Sequence, residues 1–408
     1  MKNFSRNPIL AFGSLLLAAV WLFTATAQAA SPGAAQVKKV VGTASYTDAK
    51  GGGPLKEGDI LFQGASITTG AGSYVDLFLG VNGDSLRVEA DSTITLNKLE
   101  YTNAGEVIVN TQMDVQKGAV VANVINKLSK ASKYEIKTAA GVAGIRGTAL
   151  RAGAAGVFTL QGKVEFRLNN GTLQLVIGGT VYVSGAAGVT KATTAQTSGL
   201  AQVATSCTAN TQSSAATVAN VVQQFTAAIA AEAASEAGKA GGDVAQVAAT
   251  TAKAIMAQLV AAVQTAANEA PPAIRAAAQA AAANLAQKSE VVQTTAAASA
   301  AAAATLSNGG TALAAKQSAQ SAANQSTSNQ AVANAAANNV TTAAINQAIQ
   351  NRNQGGAQDG VIDTLVEATR PAAPSGPADP GSGKGKQDAK AKADTKPGDT
   401  VIFVSPTQ

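Results

Sequence analysis

Most enzymatic chemistry near neutral pH depends on a side chain that exchanges protons there, and this 408-residue chain contains no histidine. Without imidazole, Ser-His-Asp and Cys-His nucleophiles cannot be assembled, and the commonest transition-metal ligand is missing. Cys207 is the sole cysteine, so no intrachain disulfide can form. Lying in the polar run Thr205-Ser-Cys-Thr-Ala-Asn210, it reads as an incidental thiol in a flexible stretch, with an intermolecular bridge as the rarer alternative. Asp59, Asp76, Asp84, Glu89 and Asp91 match no calcium-loop spacing and read as solvated turn and strand residues. The expectation is a non-enzymatic protein with no catalytic residue, no metal and no cofactor.

The glycines invite comparison with a phosphate cradle. Gly141-x-x-Gly144-x-x-Gly147-Thr148 has neither dinucleotide-site spacing nor the lysine of a P-loop, and no helical period follows it closely. Gly58, Gly64, Gly70, Gly83 and Gly147 are therefore expected at turns or close backbone approaches. Arg146 is the one charged residue in this apolar segment. Its planar guanidinium can satisfy several carbonyls or a carboxylate at once, and this predicts a clasp between loops ahead of a fork for an anionic ligand. Gly144, Ile145, Arg146, Gly147 and Thr148 form the candidate structural or partner-contact motif.

The elements that would position these residues change character along the chain. From Val37 to about Val189, short runs rich in Val, Ile, Thr and Tyr alternate with Gly, Asn and Asp, the pattern of half-buried strands joined by tight turns. Ser73–Leu79 places Ser73, Val75, Leu77 and Leu79 on one face and Tyr74, Asp76 and Phe78 on the other. Asn82-Gly83 and Asn169-Asn-Gly171 are hairpin signals. Many short strands at this spacing suit a sandwich, a barrel or a β-helix-like roll and do not separate them.

The stretch from Gly58 to Leu79, answered by Thr138-Ala-Ala-Gly-Val-Ala-Gly-Ile-Arg-Gly-Thr148, resembles the periplasmic FecR-like domain, over about Gly42 to Val183. The resemblance implies a compact roll of stacked hairpins and a role in extracytoplasmic signalling or scaffolding. Sensors of the namesake type carry a cytoplasmic anti-sigma segment ahead of a membrane helix. Here a handful of residues precedes the first apolar run, so direct control of a sigma factor is not implied.

That run has the layout of an export signal: Lys2 and Arg6, apolar residues from Ile9 to Phe23, then Ala27-Gln-Ala29, with cleavage expected between Ala29 and Ala30. An uncleaved membrane anchor is the competing reading. Nothing later is expected to be long and apolar enough to cross a bilayer. Losing Lys2 and Arg6 would take the net charge from +6 to +4, too little for a nucleic-acid partner.

Beyond residue 212 the composition turns to Ala, Gln and Asn. Val218, Val221, Val222, Phe225 and Ile229 line one helix face, and the pattern resumes from Val244 to Val263. Stops fall near Gly241, Pro271 and Gly309. Burying an alanine methyl contributes on the order of 0.8 kcal/mol against about 1–2 kcal/mol of backbone entropy per residue, so alanine faces alone do not make a core. The expectation is an extended helical hairpin or rod held by packing on itself, on the β domain or on a second copy, with partial disorder from Ser307 to Asn353.

The expected organisation is thus a signal peptide (1–29), an all-β FecR-like domain (36–190, core 58–165), a linker (191–212), an alanine-rich helical region (213–353) and a disordered tail (354–408). Val401-Ile-Phe-Val404 stands out in that tail as a possible docking strand. The functional expectation is a periplasmic or surface interaction and signalling module for a partner protein or cell-envelope polymer. The alternative is a structural, adhesin-like envelope scaffold.

Overall fold

A computed structural model describes residues 30–103, 105–125, 127–212, 214–354 and 358–369. The expected signal peptide, with Ala29 on its cleavage side, lies outside the described residues, as do residues 370–408 and the Val401–Val404 segment. Ala30 is exposed.

The strands in chain order are β1 (Ser31–Pro32), β2 (Ala35–Val41), β3 (Ala44–Asp48), β4 (Gly51–Pro54), β5 (Ile60–Leu61), β6 (Ser66–Thr69), β7 (Tyr74–Gly80), β8 (Asp84–Val88), β9 (Thr93–Asn103) and β10 (Val107–Lys117). There follow β11 (Ala119–Asn123), β12 (Lys133–Thr138), β13 (Gly141–Ile145), β14 (Ala149–Gly153), β15 (Gly156–Gln161), β16 (Lys163–Leu168), β17 (Leu173–Ile177), β18 (Thr180–Val183) and β19 (Val189–Lys191). They form two facing sheets. A ten-stranded sheet runs β17-β16-β13-β12-β10-β9-β6-β3-β4 with β1 beside β9, and a nine-stranded sheet runs β19-β18-β15-β14-β11-β8-β7-β2-β5. The chain alternates between the sheets, mostly a hairpin at a time, which builds a flattened roll. All ladders are antiparallel except β10 with β12.

The core between the sheets follows from period-two patterning. Val75, Leu77 and Leu79 of β7, Leu86 and Val88 of β8, and Ile94 and Leu96 of β9 all point inward and are buried. The signal at Asn169-Asn-Gly171 closes the β16–β17 hairpin. The Asn82-Gly83 signal closes the β7–β8 hairpin through a longer turn than expected, with positive φ at Gly80, Gly83 and Asp84 rather than at Asn82. Gly83 cannot be replaced cheaply, because a Cβ there would lie 2.1 Å from the Tyr134 ring.

The helices are α1 (Thr194–Thr211), α2 (Ala215–Lys239), α3 (Val244–Asn268), α4 (Pro272–Ser307), α5 (Ala312–Ser326), α6 (Gln330–Asn339), α7 (Thr342–Asn353) and α8 (Gln358–Ala368). The expected stops at Gly241, Pro271 and Gly309 fall at helix ends, and Pro272 occupies the first turn of α4. Three expectations need correction. Residues 191–212 are not a linker: most form α1, which covers the outer face of the nine-stranded sheet. Residues 307–353 are helical through α5, α6 and α7, and the expected tail begins with α8. The helical region is a bundle rather than an extended rod.

Alanine faces make a core here through geometry. From Ala296 to Ala304 the whole circumference of α4 is buried, with α2, α3, α5, α6 and α8 around it. Small side chains let helices approach to the short end of the 8–10 Å range, so burial and dispersion involve backbone as well as methyl groups. Larger residues close the core: Leu306, Val340, Ile345, and Val361, Ile362, Leu365 and Val366 of α8. The last four come from the stretch assigned to disorder.

α3 also corrects an expectation, since its 25 residues are long and apolar enough to cross a membrane. In the fold it is amphipathic: Ile255, Met256, Leu259 and Val263 are buried beside α2, while Gln246, Lys253, Gln258 and Gln264 are exposed.

Candidate functional site

The outer face of the nine-stranded sheet, which the sequence pattern assigned to solvent, is a polar interior: Lys39, Asp76, Ser85 and Arg87 on it are all buried. Lys39 on β2 and Arg87 on β8 both stand opposite Asp76 on β7, making a charged row across three strands. Asp76 is fully buried, not solvated. Its Oδ1 accepts from Arg87 Nε at 2.6 Å and its Oδ2 from Arg87 Nη2 at 2.7 Å, a two-pronged ion pair. Asn210 Nδ2 on α1 donates to Oδ2 at 2.7 Å. The guanidinium lies 4.0 Å from the centre of the Tyr74 ring. Burial alone would lower the Arg87 pKa, but the adjacent carboxylate holds it above the ordinary arginine value.

α1 fastens over this row with a polar seam. Ser85 Oγ and Thr211 Oγ1 are 2.6 Å apart, and Asn123 Nδ2 donates to Thr208 Oγ1 at 3.0 Å. At its other end Leu200, Ala201 and Ala204 join an apolar cluster with Val121, Ala149 and Leu160. Cys207, on the buried side of this helix, is inaccessible rather than flexible, which removes the intermolecular bridge as a reading. Burial and the nearby Asp76 push its thiol pKa well up, so it is held as an inert thiol. Asp84, expected in solvent, is also buried and accepts from the Ile125 amide at 2.8 Å.

A cleft of about 440 Å³ opens where β2 and β7 meet α1 and α3. Gln202, Ser206 and Asn210 form its α1 wall at a spacing of four residues, Lys39 and Tyr74 its sheet wall, and Glu269 one edge. On the α3 side it is lined by the small Ala261, Ala262 and Ala266 together with Gln258 and Thr265. Lys39 Nζ donates to Glu269 Oε2 at 3.2 Å; its side chain is 4% exposed and that of Glu269 57%.

The motif from Gly144 to Thr148 lies away from this cleft, on the turn from β13 into β14. Ile145 is in the sandwich core and Gly144 pairs between Glu135 and Glu165. Arg146 is exposed and donates through Nη1 to the carbonyls of Ser129 and Lys130 at 3.2 and 2.8 Å, clasping the loop before β12. Gly147 has φ +122°, and a Cβ there would lie 3.1 Å from Lys127 Cα. Thr148 is buried, its hydroxyl donating to Lys163 O at 3.2 Å.

A further feature sits at the end of the roll. β17 pairs with β16 on one side and with no strand on the other among the described residues. Its sequence Leu-Gln-Leu-Val-Ile carries no charge and no proline, and Leu173 and Leu175 are about half exposed. The remaining edges are blunted: β4 ends in proline, β5 has two residues and β19 three. Among the described residues no group of three or more His, Cys, Asp or Glu side chains is arranged to hold a metal ion.

The Lys39–Asp76–Arg87 row has no signature in the sequence, because residues 191–212, most of which form its α1 roof, have the composition of a linker. One signal for α1 was available: Thr193-x-x-Gln196 is a capping box, with Gln196 N donating to Thr193 Oγ1 and Thr193 N to Gln196 Oε1.

Residues 65–172 match the protein-family model described as FecR protein. The chain therefore carries a FecR-like domain, with the match running from the start of β6 to the turn after β16. Asp76, Arg87 and the Gly144–Thr148 motif lie inside it; Lys39, β17 and all helices lie outside. The family is one of cell-envelope-associated signalling regulators rather than enzymes. No curated protein matches the chain, and no solved structure does.

Proposed function

We propose that this chain, with its FecR-like domain, is a non-enzymatic extracytoplasmic signalling module that takes up an extended segment of a partner protein along β17. The observation that carries the reading is the open β17 edge. At the end of β17 Val176 O already accepts from Thr159 Oγ1 and Ile177 N donates to Thr180 Oγ1, so the edge offered to another strand is the neutral, leucine-bearing stretch Leu173–Leu175, where main-chain hydrogen bonds would supply affinity and side-chain contacts selectivity. The helical bundle backs the nine-stranded sheet and α8 reaches Gly178, just past the end of β17, while Leu173 and Leu175 stay about half exposed, so binding there leaves the bundle's outer surface available for a second contact. The association of FecR proteins with signal regulation supports the same reading. The alternative of a structural envelope scaffold predicts contacts spread over the surface.

Site-directed photo-crosslinking in the producing cell separates the two. A photoreactive residue at Leu175 is expected to give a discrete adduct with one polypeptide, lost when Leu173→Lys is added. The same residue at Leu313, an exposed leucine of the bundle, is expected to give none. No adduct at Leu175, or equal adducts at both positions, would contradict edge recognition.

A further inference from the structure

The cleft between the roll and the bundle has a charge arrangement that the strand-edge reading does not use. Across β2, β7 and β8 the row Lys39–Asp76–Arg87 holds two cations and one anion. Asp76 is committed to Arg87 and Asn210. Lys39 has three ammonium protons, and among the described residues its side chain donates to Glu269. Glu269 is a poor permanent counterion. It is more than half exposed, and it caps the C-terminus of α3, where the helix dipole disfavours negative charge.

The surrounding groups are those that read hydroxyls. Ser206 Oγ donates to Val203 O at 3.0 Å, which leaves its lone pairs to accept. Gln258 Oε1 accepts from Gln202 Nε2 at 3.2 Å, which leaves the exposed Gln258 amide nitrogen to donate outward. Tyr74 adds an aromatic wall, and the volume lies within the range of small-molecule sites.

We propose that this cleft binds a small hydroxylated carboxylate of the sugar-acid type. Its carboxylate displaces Glu269 from Lys39, and its hydroxyls engage Ser206, Gln202 and Gln258. Glu269 is then a built-in competitor, occupying the anion position until a ligand arrives. Because α1 and α3 both line the cleft, occupancy reports to the seam between roll and bundle.

Calorimetric titration of the full chain with sodium galacturonate tests this, with galactose, sodium acetate and inorganic phosphate as comparison probes at matched ionic strength. Saturable binding is expected for galacturonate and for none of the others. Glu269→Gln is expected to tighten it about fivefold, the factor lost with a competing, partly exposed ion pair. Lys39→Gln is expected to abolish it with the thermal midpoint followed in parallel; Glu269→Gln, at an exposed position, keeps the test independent of folding. The proposal is overturned if galacturonate shows no saturable binding to either the wild type or Glu269→Gln, or if Glu269→Gln binds it no more tightly than the wild type. It is equally overturned if galactose, acetate or phosphate binds as well as galacturonate. Crosslinking at Leu175 does not depend on this result.

Discussion

At the scale of single residues, the Asp76–Arg87 pair shows how a charge can be stabilising only in company. Both groups are removed from water, a cost that their two hydrogen bonds and the Asn210 amide offset. Asp76→Ala or Arg87→Ala would leave a buried, unpartnered charge and is expected to cost about 3–5 kcal/mol in urea unfolding. The double replacement Asp76→Leu/Arg87→Met should cost less than either single change; equal or additive losses would show that the pair is not buried as a unit. Glu236 offers a contrasting, exposed case. Hydrogen bonds from Lys191 and then Lys239, each at 2.8 Å, hold its carboxyl down at about 2 against an ordinary 4.5. A depressed folded-state pKa contributes stability above the unfolded value, and that stability is lost as pH falls from about 4.5 through about 2. Solvent screening keeps the effect under about 1 kcal/mol. The urea midpoint of Glu236→Gln should therefore sit slightly below wild type at pH 7 and merge with it near pH 2; a difference unchanged with pH would refute the assignment.

At the scale of elements, the parts that were legible in the sequence are those with a strong period and one dry face. The alternation in Ser73–Leu79 and the turn at Asn169-Asn-Gly171 were readable because local chemistry determines them. The stripe Val218–Ile229 was readable because every large apolar residue in it is buried. α1 was not, because its buried stripe is Thr197, Leu200, Ala201, Ala204, Thr208 and Thr211, and threonine and alanine give little apolar signal. Its partners were misread for the same reason: Asp76, Ser85 and Arg87 alternate with core residues as solvent-facing positions do, while the face they occupy is roofed by a helix. The candidate motif was found for its glycines and arginine, yet the cleft depends on Lys39, Asn210 and Glu269, which lie far apart in the chain and have no local signature. α8 was lost to composition, since Pro, Gly, Ser and Lys around it masked four large apolar residues. Its importance is testable: Leu365 is completely buried in the alanine-rich core, and Leu365→Ala is expected to cost about 2–5 kcal/mol through a cavity that neighbouring alanines cannot fill. A cost under about 1 kcal/mol would mean that α8 does not seal the bundle.

At the scale of the whole molecule, the roll and the bundle share an interior. One apolar cluster takes Val121, Ala149 and Leu160 from the sheet together with residues of α1, α2, α3 and α4, and the polar seam lies directly beside it. Roll and bundle are joined across that seam by structured chain: residues 194–211 are helix, not linker. The ligand cleft opens on that seam, while β17 stands at the roll's free edge, so the two proposed contacts address different parts of one body. Native-state amide hydrogen exchange of the full chain tests this directly. Amides of 194–211 are expected to exchange as slowly as those of β7 and β8, through the same global opening. Fast exchange across 194–211 while β7 and β8 stay protected would show that roll and bundle are merely tethered, and would contradict the account.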